Sequence, residues 1–453
     1  MGENAGVTGQ EALHPERTFD RKKLLMMSVG TFVGSGLVSL MGVAAARTGY
    51  SVWLSYMLAV VVGFASALPY FCMSSVMNFN GGVYTIACTF LGHRMGGAYV
   101  LLQVLYALIL SIVGTGFGLY IHSVFPAVSA QLSAVLVLVV FWAINCLGTN
   151  IMAGIQKYST YLLIAAMLVF CAIAFKDLNP AALDFSHPEF FLHGSEGLFA
   201  AMALLVFSSQ SYDNNVYVFG RYTINPRKNV PWGMFSTFLI LLILYGLCGI
   251  AAVGAVDLQT YAGKPLTDVA RAIFSTPAFI AFILIGPILC LTTTVNGCYC
   301  AFTISLAKSS EDGWLPRSLS TKNRFGAHWK ILTILAAACI TPVLLNISIG
   351  RLTSATTLLV GLFQVPLLVS FWALPTKFPE EFKRSTLHLT SGVYRASVLV
   401  ALAARFLIIY YSIRNLTMAT TVGALIVAAA CFLFSYLRYG TGIPRVENSY
   451  FFD

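Results

Sequence analysis

Apolar residues fall into about twelve runs of bilayer-spanning length, near 24–46, 51–76, 97–124, 132–149, 154–175, 197–219, 234–256, 274–306, 331–348, 352–374, 393–412 and 417–437. Roughly 20 apolar residues cross the hydrocarbon layer as a helix, which satisfies its backbone groups without water. The pattern predicts an all-α membrane protein of about 12 transmembrane helices. Two runs are broken by residues that a helix in lipid should avoid. The first carries Gly34-Ser35-Gly36, and the sixth carries Ser208-Ser209-Gln210-Ser211-Tyr212-Asp213. Backbone that leaves helical geometry at membrane depth is tolerated only where it is buried in protein or lines a cavity, and a paired break is the best sequence pointer to a transporter's substrate site. Breaks in spans one and six imply a repeat of five helices. An odd number of crossings makes the second copy enter from the opposite face, so spans one to five form an inverted repeat with six to ten.

Composition fixes the class. With 58% hydrophobic and 10% charged residues and a mean hydropathy of +0.80, the chain has more apolar surface than a soluble core could hide. Its net charge of +10 raises the question of a nucleic-acid partner, but the basic residues are spread between spans and form no aromatic-interleaved patch. Their distribution is topological. With a cytoplasmic N-terminus, about 20 Lys and Arg, including Arg21, Lys22, Lys23, Arg227, Lys228, Arg317 and Lys383, fall on the cytoplasmic side, and about six on the other, which puts both termini in the cytoplasm. Residues 1–20 and 438–453 are the expected cytoplasmic tails. The segment 21–437 is one membrane domain, with repeat one over about 21–176, repeat two over about 196–375 and two further helices over about 391–437. No removable signal peptide is expected in the polar N-terminal segment. The ten cysteines lie mostly within spans and read as small apolar fillers, with no metal or disulfide spacing. No cofactor is implied, and nothing in the pattern fixes an oligomeric state.

At the first break, the glycines around Ser35 let the chain leave helical geometry and turn N–H groups toward the gap. The half-helix that starts there presents a positive dipole end, suited to a carboxylate without any basic side chain. Close helix packing by small residues is the alternative. At the second break, five polar residues from Ser208 to Tyr212 precede Asp213, an ionisable group at membrane depth. Three roles compete for Asp213: contact with a substrate ammonium, proton carriage, or an N-cap on the next half-helix. Carbonyls of Phe207 to Gln210 offer a second place for an ammonium. Arg405, in the middle of span eleven, needs a partner or a snorkelling route. Tyr106, Ser111, Asn296 and Tyr299 are candidates to line a cavity or to make interhelical hydrogen bonds.

These motifs together resemble the amino acid, polyamine and organocation permeases. The resemblance rests on Gly30-Thr31-Phe32-Val33-Gly34-Ser35-Gly36-Leu37, on Asn80-Gly81-Gly82-Val83-Tyr84 after span two, on Phe207 to Asp213 followed by Asn225-Pro226 and Pro231, and on Asp312-Gly313 with Pro316 after span eight. It covers residues 20–375. It implies a five-plus-five inverted repeat of the LeuT-like fold and alternating access. It also implies a substrate held by Thr31, Gly34, Ser35, Gly36, Phe207, Ser208 and Gln210, with Phe207 as an aromatic gate. Beside these, Ser209, Ser211, Asp213, Ser111 and Asn296 complete the candidate substrate residues, and Tyr106 is the second candidate gate. Two departures bear on coupling. Many relatives carry a lysine deep in span five where this chain has an apolar stretch around Leu163, with Lys157 about six residues too early, and the glutamates often found after the sixth-span break are replaced by Phe219-Gly220.

The expected function is secondary transport of an amino acid or close amine across the plasma membrane, as an exchanger. A proton- or sodium-coupled symporter is the alternative within that class, and a channel or non-transporting sensor is the alternative outside it. The expected partners are a small-molecule substrate and the lipid bilayer. No enzymatic motif, phosphate-binding loop or metal-ligand spacing is present, so catalysis and ATP-driven pumping both lack their chemistry.

Overall fold

The structure, a computed structural model, describes residues 17, 19–33, 35–79, 81–147, 152–209, 211–213, 215–444 and 450–452. Gly34 and Gln210, and the side chain of Ser35, lie outside the described residues.

Helix α1 (Arg21–Phe32) starts at Asp20, whose side chain accepts a hydrogen bond from the Lys23 N–H at 2.7 Å and so caps one of the free amides of the first turn. After the interruption come α2 (Ser35–Thr48) and α3 (Val52–Ser74). The third hydrophobic run holds α4 (Ala98–Leu105) and α5 (Ala107–Val124), and α6 (Ala130–Cys146) and α7 (Met152–Ala174) follow. The sixth run begins as α8 (Gly194–Leu205) and then loses regular geometry, before α9 (Pro226–Gly254). Next come α10 (Thr276–Ile283) and α11 (Leu289–Glu311), joined by a π turn around Pro287, which has no N–H to give the helical ladder. The chain closes with α12 (Trp329–Leu344), α13 (Ile349–Phe371), α14 (Ser391–Arg414) and α15 (Met418–Gly440).

Among the described residues, eight helical stretches are long and apolar enough to cross a membrane, and α6 and α12 are shorter apolar helices. One of the eight, Arg21–Ser74, has 54 residues, far more than the roughly 30 Å of a single crossing at about 1.5 Å per residue. The chain is a multi-pass integral membrane protein. In lipid, side chains sort by packing and polarity more than by hydrophobicity, and α14 shows this. Tyr394, Val398, Ala401, Arg405, Ile408 and Ser412 recur every three or four residues on its buried face, while Val393, Leu399, Val400, Phe406 and Tyr410 face outward.

The interrupted helices are central to the packing. Helix α1 lies against α7 and α9, α2 against α8, and α3 between α9 and α14, with α13 beside α14. On one side of the bundle, two motifs singled out in the sequence dock on each other. Gly81 and Gly82 take positive φ (108° and 97°), so their backbone approaches α11, where Ser305 Oγ donates to the Gly81 carbonyl at 2.8 Å. A Cβ on Gly82 would sit 2.2 Å from that hydroxyl. Tyr84 then donates to Asp312 Oδ2 at 2.7 Å, and Lys308 Nζ lies 2.5 Å from Asp312 Oδ1. Nearby, β1 (Asn78–Phe79) pairs antiparallel with β2 (Tyr450–Phe451), Asn78 opposite Phe451. Arg227 donates to the carbonyls of Ser75 and Phe452, both at 3.1 Å.

Before α9 the chain turns at Asn225, which is left-handed (φ 47°), and Pro226 opens the helix. The helix begins eight residues before the hydrophobic run and takes Pro231 inside it, because its first two turns are polar and hydropathy does not register them.

Candidate functional site

At the first break, the Val33 N–H closes the last turn of α1 on Val29 O, Val33 leaves helical geometry (ψ 86°), and helix resumes at Ser35. The C-terminal end of α1 and the N-terminal end of α2 are thus neighbours in the chain, and opposite dipole ends adjoin at the interruption. Thr31, half-buried, bonds its hydroxyl to Ser28 O at 2.7 Å. Phe32 O accepts from Tyr245, and Val33 O accepts from Cys290 Sγ.

At the second break, α8 gives way to 3₁₀ turns at Val206–Ser209 and Ser211–Asp213, then a π turn at Asn215–Phe219. The serines explain the change. Ser208 Oγ bonds Leu205 O at 2.7 Å, and Ser209 Oγ bonds both Val206 O and, across on α3, Ala59 O at 2.8 Å. Such hydroxyls compete with amides for the carbonyls that would propagate an α-helix.

The two breaks meet. Tyr245 of α9 donates toward Phe32 O of the first (2.8 Å) and Ser208 O of the second (3.3 Å), so one buried hydroxyl spans both. Tyr56 of α3 shares a 2.8 Å hydrogen bond with Ser208 Oγ, and its ring lies 4.4 Å from that of Tyr245. The Phe32 and Tyr212 rings are 4.5 Å apart. Gly36 lies tightly against the second break: a Cβ there would fall 2.1 Å from Ser208 Cβ. One turn of α1 away, Ser28 hydrogen-bonds Asn215. Phe207 is half-buried beside these groups and Ser211 lies in the second 3₁₀ turn.

Asp213 is buried and turned toward other helices. Gln364 of α13 donates to its Oδ2 at 3.5 Å, and Arg405 of α14, Tyr70 of α3 and Tyr106 lie within its electrostatic reach. Arg405 is also buried, and its Nη2 donates to Ser66 Oγ at 3.0 Å. The Tyr106 ring packs against Phe302 at 5.6 Å. Ser111 donates to Cys339 O on α12 at 2.7 Å, Asn145 of α6 donates to Asn296 Oδ1 on α11 at 2.8 Å, and Tyr299 donates to Leu138 O at 3.2 Å. Each of these bonds joins neighbouring helices. Leu163 is buried in α7, against which α1 packs.

Four residues of this region carried no sequence signal of their own: Tyr56, Tyr70, Tyr245 and Gln364. The chain has 21 tyrosines, most in or beside apolar runs, so a tyrosine that bridges the breaks looks like any belt tyrosine until the helices are assembled.

The sequence model of the amino acid permease family matches residues 19–436. The chain is similar to the branched-chain amino acid permease BcaP of Bacillus subtilis, 26% identical over 343 residues that make up 70% of this chain and 71% of the relative. It is also similar to the methylthioribose transporter of the same organism, 25% identical over 326 residues (66% and 68%), and to cationic amino acid transporter 3, mitochondrial, of Arabidopsis thaliana, 25% identical over 327 residues (66% and 53%). The chain belongs to the amino acid permease family, membrane transporters of the amino acid, polyamine and organocation superfamily.

Proposed function

We propose that this protein carries an amino acid or closely related amine across the plasma membrane by alternating access, with both termini cytoplasmic. In this reading twelve spans form a LeuT-like fold, spans one to five opposing six to ten around a midplane site and the last two standing outside the repeat. The observation that carries it is the Tyr245 hydroxyl, which joins the carbonyl ends of both interruptions at one point. A zwitterion fits such a place: its carboxylate at the amides that open α2, its ammonium at the carbonyls of Phe32 and Ser208, each of which has a second lone pair to offer. Thr31, Gly34, Ser35, Gly36, Phe207, Ser208, Ser209, Gln210 and Ser211 surround that position along the chain, with Phe207 and Tyr106 as gates. The relatives are named for branched-chain amino acids, for methylthioribose and for cationic amino acids, which keeps the substrate class at amino acids and similar small polar solutes.

Exchange of two related solutes is favoured over proton or sodium coupling because the position around Leu163 holds no cationic side chain. Counterflow in proteoliposomes is the test. A carrier takes up labelled substrate faster when the lumen holds unlabelled substrate, whereas a sensor moves nothing and a channel shows no trans-stimulation. Accumulation into empty vesicles driven by a pH or sodium step would replace exchange with coupled symport.

A further inference from the structure

Beside the second break, two full charges are buried within the bundle. Arg405 sits on the inward stripe of α14, 1% exposed, and Asp213 is 5% exposed. Both address one face of α13. The Arg405 Cδ would lie 3.7 Å from a Cβ on Gly361, and Gln364, one turn further along the same helix, reaches Asp213 Oδ2. The guanidinium is held from the other side by Ser66 of α3, and Tyr70, four residues on, lies within electrostatic reach of both charges. A Cβ at Gly361 would first meet the Ile409 side chain at 2.7 Å, while the Arg405 stem lies in ordinary contact distance of the same position, so α13 and α14 pack closely here. A long cation at mid-helix has two choices in lipid, to snorkel or to meet an anion inside the protein, and its position on the buried stripe selects the second.

We propose that Arg405 is a selectivity residue: its guanidinium balances the Asp213 carboxylate, so that the neighbouring substrate site presents no net charge and selects net-neutral solutes over cations. This rests on the site proposed above. A carboxylate left alone at this depth would draw cationic solutes, because the low-dielectric surroundings screen it weakly. With Arg405 in place that attraction is already answered within the protein. Gln364 fits as a neutral spacer that orients the carboxylate, its Oε1 being buried without a hydrogen-bond partner.

The test combines selectivity with a folding cycle on the full-length chain in detergent. Thermal-shift titrations with L-lysine, putrescine and the neutral L-amino acids are run on the wild type, Arg405→Gln, Asp213→Asn, and the Asp213→Asn/Arg405→Gln pair. Removing the guanidinium alone should improve the apparent affinity for L-lysine or putrescine, relative to the best neutral amino acid, by tenfold or more, and the double substitution should return that ratio to the wild-type value. Should Arg405→Gln fold but be too unstable for titration, the melting temperatures decide instead: each single change should lower Tm more than the double change does, since breaking a buried pair is worse than removing both members. A folded Arg405→Gln with wild-type selectivity overturns the proposal, as do single and double variants whose Tm losses simply add. If the wild type binds and moves no amino acid or amine while the Tm cycle still shows coupling, the transport reading has failed and the charge pair is structural.

Discussion

Gly36 and Ser208 decide how closely the two interrupted segments approach. A methyl group at Gly36 would lie 2.1 Å from Ser208 Cβ, which no rotamer change at Ser208 relieves, because the overlap is with its first side-chain atom. Gly36→Ala is therefore expected to cost about 1–3 kcal/mol of stability by overpacking and to abolish substrate-induced thermal shifts. The second-site change Ser208→Gly should restore part of both, as a paired melting and binding assay would show. Tyr245→Phe makes a different lesion. It leaves Phe32 O and Ser208 O without their shared donor, at about 1–3 kcal/mol for buried acceptors, and should weaken substrate binding severalfold while Tyr56→Phe, which removes a hydrogen bond to the Ser208 hydroxyl, weakens it less. Equal binding by wild type and Tyr245→Phe would argue that the hydroxyl only braces the helices.

Between helices, polar side chains hold the bundle where lipid supplies no hydrophobic drive. Ser111 bonds the Cys339 carbonyl and Asn296 receives the Asn145 amide. Ser111→Ala should lower stability by about 1 kcal/mol and leave the apparent substrate affinity within about twofold, the signature of a residue outside the uniform binding contacts. A large affinity loss without a Tm change would move Ser111 into the site. The breaks themselves were legible in the sequence because serines, glycines and a carboxylate in an apolar run have few other uses. Helix ends were less so: α9 starts at Pro226, inside a polar stretch that hydropathy assigns to a loop. The sixth run is likewise hard to read by length alone, since regular α-helix ends at Leu205 and 3₁₀ and π turns follow. What the sequence could not supply was which faces meet, and so Tyr245, Tyr56 and Gln364 stayed hidden among similar residues, and Arg405 had no visible partner.

At the scale of the whole chain, the motif after span two and the motif after span eight are one contact, Tyr84 to Asp312 with Lys308 on the same carboxylate. Their sequence positions are 228 residues apart, so no local pattern could announce it. This contact ties α11 and its end to the segment that follows α3, and under the proposed alternating access it is either kept or remade in each cycle. Tyr84→Phe is expected to lower Tm by an amount equivalent to about 1–3 kcal/mol and to change the counterflow rate more than equilibrium substrate binding. A change in binding alone, with turnover intact, would show that the contact does not take part in the conformational cycle. The decisive measurement is a cryo-EM map of the protein with the solute that most raises its melting temperature. Ligand density should lie between the backbone of residues 32–36 and that of 206–209, carboxylate toward the amides opening α2 and amine toward the carbonyls of Phe32 and Ser208. Density elsewhere in the bundle, or unbroken α-helix through residues 33–35, would contradict the site.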